Sequence, residues 1–404
     1  MRLPLLLILP VLILDVLVDW YICRAVCRRC TRGARLWRPV ALWSSVVLAL
    51  VLIGLVVWPK KAGDNGDLMA LMWILYAYFS IYIAKYIFII IDLIGAIPQL
   101  WHRRRIPGFG VAGICAGTLV FALMWWGALV NRYRIDVCEV SFADPSLPAA
   151  FEGLTVAQIS DLHVGSYGAD TTYLARVVET VNSLNPDIIV FTGDIVNRRS
   201  DELQPFTSTL ARLSAPLGVY SILGNHDYGD YYVWPDSDAK KANMELLRRL
   251  QRDMGWDLLD NESRTFRAGS DSLVLIGVQN IGDPPFPVYG DLDAAYKGDL
   301  ADGAFKILLS HNPAHWVDDI ADSPDKNIAL TLAGHTHAMQ IELFGLSPAA
   351  FRYMTWGGMY SDADTAHRLY VNIGIGEVGI PARIGATPEI TLFTLSRGTS
   401  GNNE

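Results

Sequence analysis

Charge is scarce in this chain. Only 18% of its 404 residues are Asp, Glu, Lys or Arg, against 51% hydrophobic, with a mean hydropathy of +0.27. That balance excludes an ordinary soluble domain over the whole length and points to membrane spans. Cysteine is scarce too. Cys23, Cys27, Cys30 and Cys115 lie in the first 115 residues and Cys138 stands alone beyond them, so no disulfide framework holds the C-terminal half. The Cys23, Cys27, Cys30 cluster has no fourth Cys or nearby His, which argues against a metal site there; its Arg-rich, juxtamembrane setting suits acylation. Internal repeats and low-complexity runs are missing, apart from a polar tail over 397–404.

Basic charge is also missing where it would matter for nucleic acid. Residues 141–404 hold 18 Lys/Arg against 34 Asp/Glu, whereas residues 1–140 hold 15 against 7. An acidic half of this size excludes phosphate-backbone binding as a general role, and the asymmetry indicates two regions in different surroundings.

What is present begins with four apolar stretches, about 3–22, 40–58, 68–97 and 108–130, within a transmembrane anchor region over 1–135. Each is near the ~20 residues that cross ~30 Å of hydrocarbon. The first lacks a charged start beyond Arg2 and a small-residue cleavage site, so it reads as a retained helix rather than a signal peptide. Arg24, Arg28, Arg29, Arg32, Arg35 and Arg38 follow span one, and Arg103, Arg104 and Arg105 follow span three; the loop between spans two and three has only Lys60 and Lys61, balanced by Asp64 and Asp67. The positive-inside rule then makes the first and third loops cytoplasmic and sets the C-terminal domain on the outer, periplasmic or extracellular, side of the cytoplasmic membrane. Trp101, Trp125 and Trp126 are expected near the interfaces. Lys85 and Asp92 share a face of the third span at a seven-residue spacing; Asp92 reads as reaching the cytoplasmic edge.

From residue 154 short β-branched or aromatic runs alternate with helical ones. TVAQIS, DIIVF, VYSIL, SLVLIGV, KILLS, IALTLA, RLYVNI and EITLFTL read as strands, and 170–184, 202–213 and 239–254 as helices, which predicts an α/β domain built on a mixed, largely buried sheet system. Five polar motifs follow predicted strands: Asp161-Leu-His163, Gly193-Asp194, Gly224-Asn225-His226-Asp227, His311 after KILLS, and Gly334-His335-Thr336-His337 after IALTLA. The carboxyl ends of strands form the binding crevice of an open α/β sheet, so these residues are expected to converge. Carboxylates with imidazoles suit Zn, Mn or Fe, whereas an oxygen-only set would suit Mg or Ca. Five of the eight histidines fall in these motifs. One His after a strand is ordinary core; five among Asp and Asn at strand ends indicate a dinuclear hydrolytic centre. His315 and His367 lie outside the motifs and read as surface or supporting residues.

DLHVG, GDIVN, GNHDYG, LSHNP and GHTH, in this order, resemble the motifs of the calcineurin-like metallophosphoesterases, over about residues 150–396 and with the bacterial membrane-associated or exported branch as the nearer likeness. The resemblance implies a four-layer αββα sandwich over 142–396, preceded by the bundle of about four transmembrane helices, and two divalent metal ions (Mn, Zn or Fe). It implies that Asp161, His163, Asp194 and His337 hold one ion, and that Asp194, Asn225, His311 and His335 hold the other, with Asp194 bridging. His226 would stabilise the transition state or protonate the leaving oxygen, as water attacks a phosphoester or pyrophosphate without a covalent intermediate.

Two departures from the family stand out. Asn197 occupies the position where many family phosphatases place an Asp that orients the catalytic His. Ala338-Met339-Gln340 replaces the usual Gly-Gly-Gln after GHTH and adds bulk beside the metals. Asp227, Met339, Arg352, Tyr353 and Trp356 join Asn197 as further candidate contacts to substrate or to the ligands. The aromatic segment FRYMTWGGMY, 351–360, is either core packing or an apolar rim for an acyl chain or the membrane. The reading that results is a membrane-anchored phosphohydrolase whose substrate is phosphorylated and possibly borne by a lipid; its partners are that substrate and the bilayer, not nucleic acid. A metal-binding scaffold or sensor without turnover, and a transport role for the spans, are the alternatives.

Overall fold

The computed structural model of the chain describes residues 5–29, 34–57, 65–101, 103–284, 287–362 and 367–398. Cys30, Arg32, Lys60, Lys61, Asp64 and the tail from residue 399 lie outside the described residues. The chain divides into two compact units, 1–130 with 379–382, and 131–378 with 383–404.

The first unit carries four long helices, α1 Leu5–Arg29, α2 Ala34–Val57, α3 Asn65–Ile94 and α4 Gly108–Leu129. Among the described residues three stretches, Trp37–Leu55, Gly66–Trp101 and Gly108–Tyr133, are long and apolar enough to cross a membrane. The first expected span falls on α1, which is not among those three and carries Asp15 and Asp19. Helices α3 and α4 approach closely because α4 presents glycine. A Cβ on Gly113 would sit 2.9 Å from the Phe88 carbonyl oxygen, and one on Gly117 2.7 Å from that of Ala84. Small residues four apart are the usual means of close helix contact in lipid, where dispersion and polar contacts replace the hydrophobic drive.

Lys85 and Asp92 do not pair with each other. Lys85 Nζ bonds Asp19 Oδ1 of α1 at 2.6 Å, and the fully buried Asp92 is held by Arg29 at 2.5 Å, by Arg105 and by the Tyr21 hydroxyl at 2.8 Å. Asp92 is thus neutralised inside the unit by Arg29 at the end of α1 and by Arg105 of the loop after α3, not by reaching solvent. Charges at such depth persist only when paired in this way.

The second unit contains strands β1 Asp136–Ala143, β2 Thr155–Ile159, β3 Ile188–Phe191, β4 Val219–Ser221, β5 Asp257–Leu258, β6 Glu262–Ala268, β7 Asp271–Gly277, β8 Phe305–Leu309, β9 Leu330–Ala333, β10 Gly358–Ser361, β11 Arg368–Val371 and β12 Glu389–Ser396. They form two six-stranded sheets, β1-β12-β2-β3-β4-β5 and β10-β11-β9-β8-β7-β6. Strands β2, β3 and β4 run parallel to one another, as do β8, β9 and β11 around β9. Both triplets read as nearly continuous apolar runs because each is covered on both faces.

Between the sheets lies a core that includes Phe142, Val156, Ile188, Ile222, Leu275, Ile307, Leu332 and Phe393. Helices α5 Thr172–Ser183, α6 Thr207–Leu210 and α7 Ser237–Asp253 cover the first sheet through Leu174, Val177, Leu210 and Leu247. Trp316 and Ile320, in a helical turn, cover the second through Val274 and Leu308. The result is the mixed α/β arrangement of helix, sheet, sheet and helix that the motifs imply. Strands β1, β5, β6 and β10 were not among those expected. They are edge or near-edge elements with exposed or half-buried side chains, so they lack the apolar runs that marked the others.

Candidate metal centre

The parallel triplets set the site. Asp161 follows β2, Asp194 follows β3, Asn225 and His226 follow β4, His311 follows β8, and His335 and His337 follow β9. Each motif turns sharply on leaving its strand. Asp161, His163, Asp194, His335 and His337 all adopt φ between +43° and +75°, a left-handed conformation rare and costly for side chains other than glycine. Such strain gathers where surrounding bonds over-determine the backbone. Those bonds are visible here: Asp161 N–H donates to Gly193 O at 2.9 Å, His163 N–H to Asp194 O at 3.1 Å, and His335 N–H to Asp161 Oδ2 at 3.0 Å. Gly334 permits the last of these, since a Cβ there would stand against Ser160 Oγ and Asp161 Oδ2.

The seven side chains expected as ligands come together in two groups. In the first, His163 Nε2 lies 3.1 Å from His337 Nε2, which is itself 3.1 Å from Asp161 Oδ1. In the second, His311 Nε2 lies 3.2 Å from Asp194 Oδ2 and 3.1 Å from Asn225 Oδ1. Donor atoms of Asp161, His163 and His337 fall within 4.8 Å of one another, as do those of Asp194, His311 and His335. Asp194 Oδ2 is also 3.6 Å from His163 Nε2, so this one carboxylate reaches both groups.

The electrostatics favour cations. Burial raises the proton affinity of Asp161 and Asp194, and the imidazoles around them more than offset it, leaving both carboxyls below the usual range: His337 and His311 for Asp161, His311 and His226 for Asp194. Burial, with neighbouring imidazoles, pushes His335 down to about 3 and His163 well below its ordinary value, so both keep lone pairs free. Burial works against the charged form of His311 as well, but Asp194 outweighs it and lifts that ring to about 9. His335 Nδ1 and His163 Nδ1 are buried without a hydrogen-bond partner. Ionised carboxylates, the neutral imidazoles of His163 and His335 and their two unpartnered buried nitrogens form a donor set that fits divalent metal.

The remaining expected residues divide. His226 stands beside the groups, its ring 4.8 Å from that of His163, and its Nδ1 bonds the main-chain oxygen of Asn197 at 2.7 Å. The Asn197 side chain, expected at that ring, instead donates to Ser166 Oγ at 2.9 Å; the loop carbonyl occupies the place beside the imidazole. Asp227 is a buried bracket: its two oxygens accept from the backbone N–H of Asp194, Gly224, Ile195 and Val196. Tyr353 hydroxyl meets His335 Nε2 at 3.0 Å. Arg352 bonds Asp283 at 2.7 Å, and Asp283 accepts from Asn312 next to His311. Met339 is half exposed at φ +47°, where the usual glycine would carry no strain. Trp356 packs beside Ala338, Ile373 and Ala386, and its carbonyl accepts from Thr336, so it supports the GHTH loop rather than facing solvent. His315 and His367 are buried, bonded to Ser310 Oγ at 2.9 Å and Ile328 O at 2.7 Å, not surface residues.

Two residues were missed. Tyr231 stacks on His226 with ring centroids 4.2 Å apart, and its hydroxyl accepts from Asn225 Nδ2 at 2.9 Å. Arg383 is fully buried, donating to the carbonyls of Gly376, Ile373 and Ala386, with Nη2 3.2 Å from His337 Nδ1. The Pro-Ala-Arg run in the Gly-rich C-terminal segment was the available signal for Arg383. Tyr231 had none beyond its place after GNHDYG.

The comparisons agree with the geometry. Residues 154–339 match the family model "Calcineurin-like phosphoesterase", and residues 1–132 match "Probable Calcineurin-like phosphoesterase, transmembrane domain". The chain is 32% identical to the uncharacterized metallophosphoesterase YkuE of Bacillus subtilis, over 66% of this chain and 87% of that protein. It is 32% identical to a transmembrane protein with metallophosphoesterase domain from Danio rerio, over 69% of this chain and 62% of that one. It is 28% identical to the UDP-2,3-diacylglucosamine pyrophosphatase LpxG of Chlamydia trachomatis, over 67% and 92%. Enzymes of this family use divalent metals, and the candidate ligand groups are in place here. The chain belongs to the calcineurin-like metallophosphoesterases, as a membrane protein that hydrolyses phosphoester bonds.

Proposed function

We propose that the protein is a two-metal hydrolase of a lipid-borne phosphoester or pyrophosphate, working on the outer side of the cytoplasmic membrane. The observation that carries the two-metal reading is the reach of Asp194 Oδ2 to His163 Nε2 at 3.6 Å and to His311 Nε2 at 3.2 Å, because one carboxylate between two donor groups is what a bridging ligand requires. In this reading Asp161, His163, Asp194 and His337 hold one ion, and Asp194, Asn225, His311 and His335 the other. Two cations so held would acidify a water and neutralise the phosphoryl oxygens.

The chain's own residues then have separate tasks. Asp194 Oδ1 accepts the His226 main-chain N–H at 2.8 Å, so the carboxylate stays aligned while Oδ2 is free for the centre. A carbonyl oxygen can only accept, so His226 carries a proton on Nδ1, donated to Asn197 O, and leaves Nε2 for the reacting groups. From Nε2 the imidazolium form donates to the leaving oxygen. Tyr231 against one face of the ring keeps it from rotating.

A lipid substrate is supported by the apolar spans and by the diacyl substrate in the printed name of the Chlamydia relative. The test is turnover by full-length protein in nanodiscs, with metal content measured alongside. About two equivalents of Mn, Zn or Fe, loss of turnover with chelator, and faster release from a diacyl pyrophosphate than from soluble nucleotides are expected. One equivalent in a fully active sample would sink the two-metal reading; preference for the nucleotides would sink the lipid one.

A further inference from the structure

The loop that follows the GHTH motif carries the least protected apolar side chains of the second unit. Phe344 is 101% exposed, Phe351 97%, Met354 86% and Leu346 75%. Between Leu343 and Tyr360 the only charged residue is Arg352. Scattered exposed apolar residues need no explanation, but a contiguous set on one loop marks a contact surface.

The backbone makes the case sharper. Leu343 and Leu346 exchange main-chain hydrogen bonds at 2.9 and 3.1 Å, closing a tight two-residue turn whose tip is Phe344 at φ +56° and Gly345 at φ +76°. Both central residues are left-handed, a turn that normally takes Asn or Asp followed by Gly. An aromatic residue at the first of these positions is strained by its backbone and, here, wholly in water. Neither cost has any return within the fold itself.

We infer that the loop from Leu343 to Met354 is a membrane-docking surface, which sinks Phe344, Leu346, Phe351 and Met354 into a lipid leaflet. The single charge, Arg352, is paired with Asp283 at 2.7 Å, so the loop presents no unbalanced charge to a leaflet. A leaflet is also within reach: span α4 ends at Leu129 and β1 begins at Asp136, so six residues separate hydrocarbon from catalytic fold. Asn131–Tyr133 of that linker are wound in a 3-10 turn, so it is shorter than the ~20 Å that six extended residues cover.

The loop is wired to the centre at both ends. Ser347 Oγ donates to the Ala338 carbonyl oxygen at 2.6 Å, and Tyr353, between Phe351 and Met354, meets His335. Docking would therefore hold the metal site at the membrane surface whatever the substrate, so the inference goes beyond the lipid-substrate reading and does not rest on it.

The test places the photoreactive p-benzoylphenylalanine at Phe344 or Phe351 in the full-length protein, with Val317 as an exposed apolar control elsewhere in the domain. The protein is reconstituted in phosphatidylethanolamine and phosphatidylglycerol nanodiscs, irradiated and analysed by mass spectrometry. Lipid adducts at 344 and 351, absent at 317, are expected. Absence of lipid adducts at both loop positions, or adducts to a second copy of the chain in their place, would overturn the inference. Metal content equal to that of the unsubstituted protein controls for folding.

Discussion

His226 donates its Nδ1–H in a hydrogen bond to the main-chain oxygen of Asn197 at 2.7 Å. A backbone acceptor fixes the tautomer of the ring without help from any side chain, so the absence of an Asp at position 197 does not cost the site its orientation. Asn197→Ala is expected to keep kcat within an order of magnitude of wild type, while His226→Gln lowers it about 100- to 10,000-fold. Steady-state kinetics on one substrate decides this, and an equal collapse in both variants would show that the side chain matters after all.

Tyr231 links two functional groups at once, stacking on His226 and accepting from Asn225 Nδ2. Groups that orient a ligand typically contribute about 10- to 100-fold in metal affinity. Tyr231→Phe, which keeps the stack and removes the hydroxyl, should therefore weaken binding of one of the two metals and spare the other. Competition with a metallochromic chelator reads this; an unchanged pair of affinities would count against Asn225 as a ligand.

The proton on His311 sets a pH dependence. Asp194 holds that ring's affinity up at about 9, so below this pH the metal-free protein carries a proton on a ring whose lone pair the metal needs. Metal binding must expel it. Apparent affinity should then rise with pH by about tenfold per unit until about pH 9 and level off above, with roughly one proton released per event at neutral pH. Calorimetry in buffers of different ionisation enthalpy measures the release, and a value near zero would refute this assignment.

Asp227 presents two oxygens to four backbone N–H groups, at 2.9 to 3.2 Å. Burial and then Asp194 raise its proton affinity, while the amides of Gly224 and Val196 oppose them. Since every neighbour within bonding distance is a donor, a proton or an amide group here would face another hydrogen. Asp227→Asn is expected to cost about 1–3 kcal/mol, which is roughly 2–12 °C in Tm for a domain of this size. Thermal unfolding of the solubilised protein is the check; an unshifted transition would mean that the bracket relaxes freely.

Much of this architecture could be read in the residues before any coordinates. Parallel strands buried on both faces announce themselves as apolar runs, and β2, β3, β8 and β9 did so; the motifs at their ends follow from that placement. Edge strands such as β6, ESRTFRA, carry polar side chains on their exposed faces and give no such run. The site's supports were illegible for a different reason. The carbonyl of Asn197 has no sequence signature, and Arg383 reaches His337 across 46 residues through a fold whose closure local patterns cannot specify. Within residues 351–360, Trp356 packs beside Ala338, Ile373 and Ala386, whereas Phe351 and Met354 are exposed, a division that the shared aromatic and apolar composition of the segment does not mark.

Strand β12 lies between β1 and β2, parallel to the one and antiparallel to the other. The strand that joins the segment leaving the membrane to the rest of its sheet is therefore translated some 250 residues after that segment. Until β12 emerges from the ribosome, β1 has no partner in its sheet and the edge of β2 stays open, although the four helices are already available to the insertion machinery. Anchoring precedes assembly of the hydrolase in time, and a chain interrupted before residue 389 would be delivered to the membrane with an exposed sheet edge, a ready substrate for quality-control proteases.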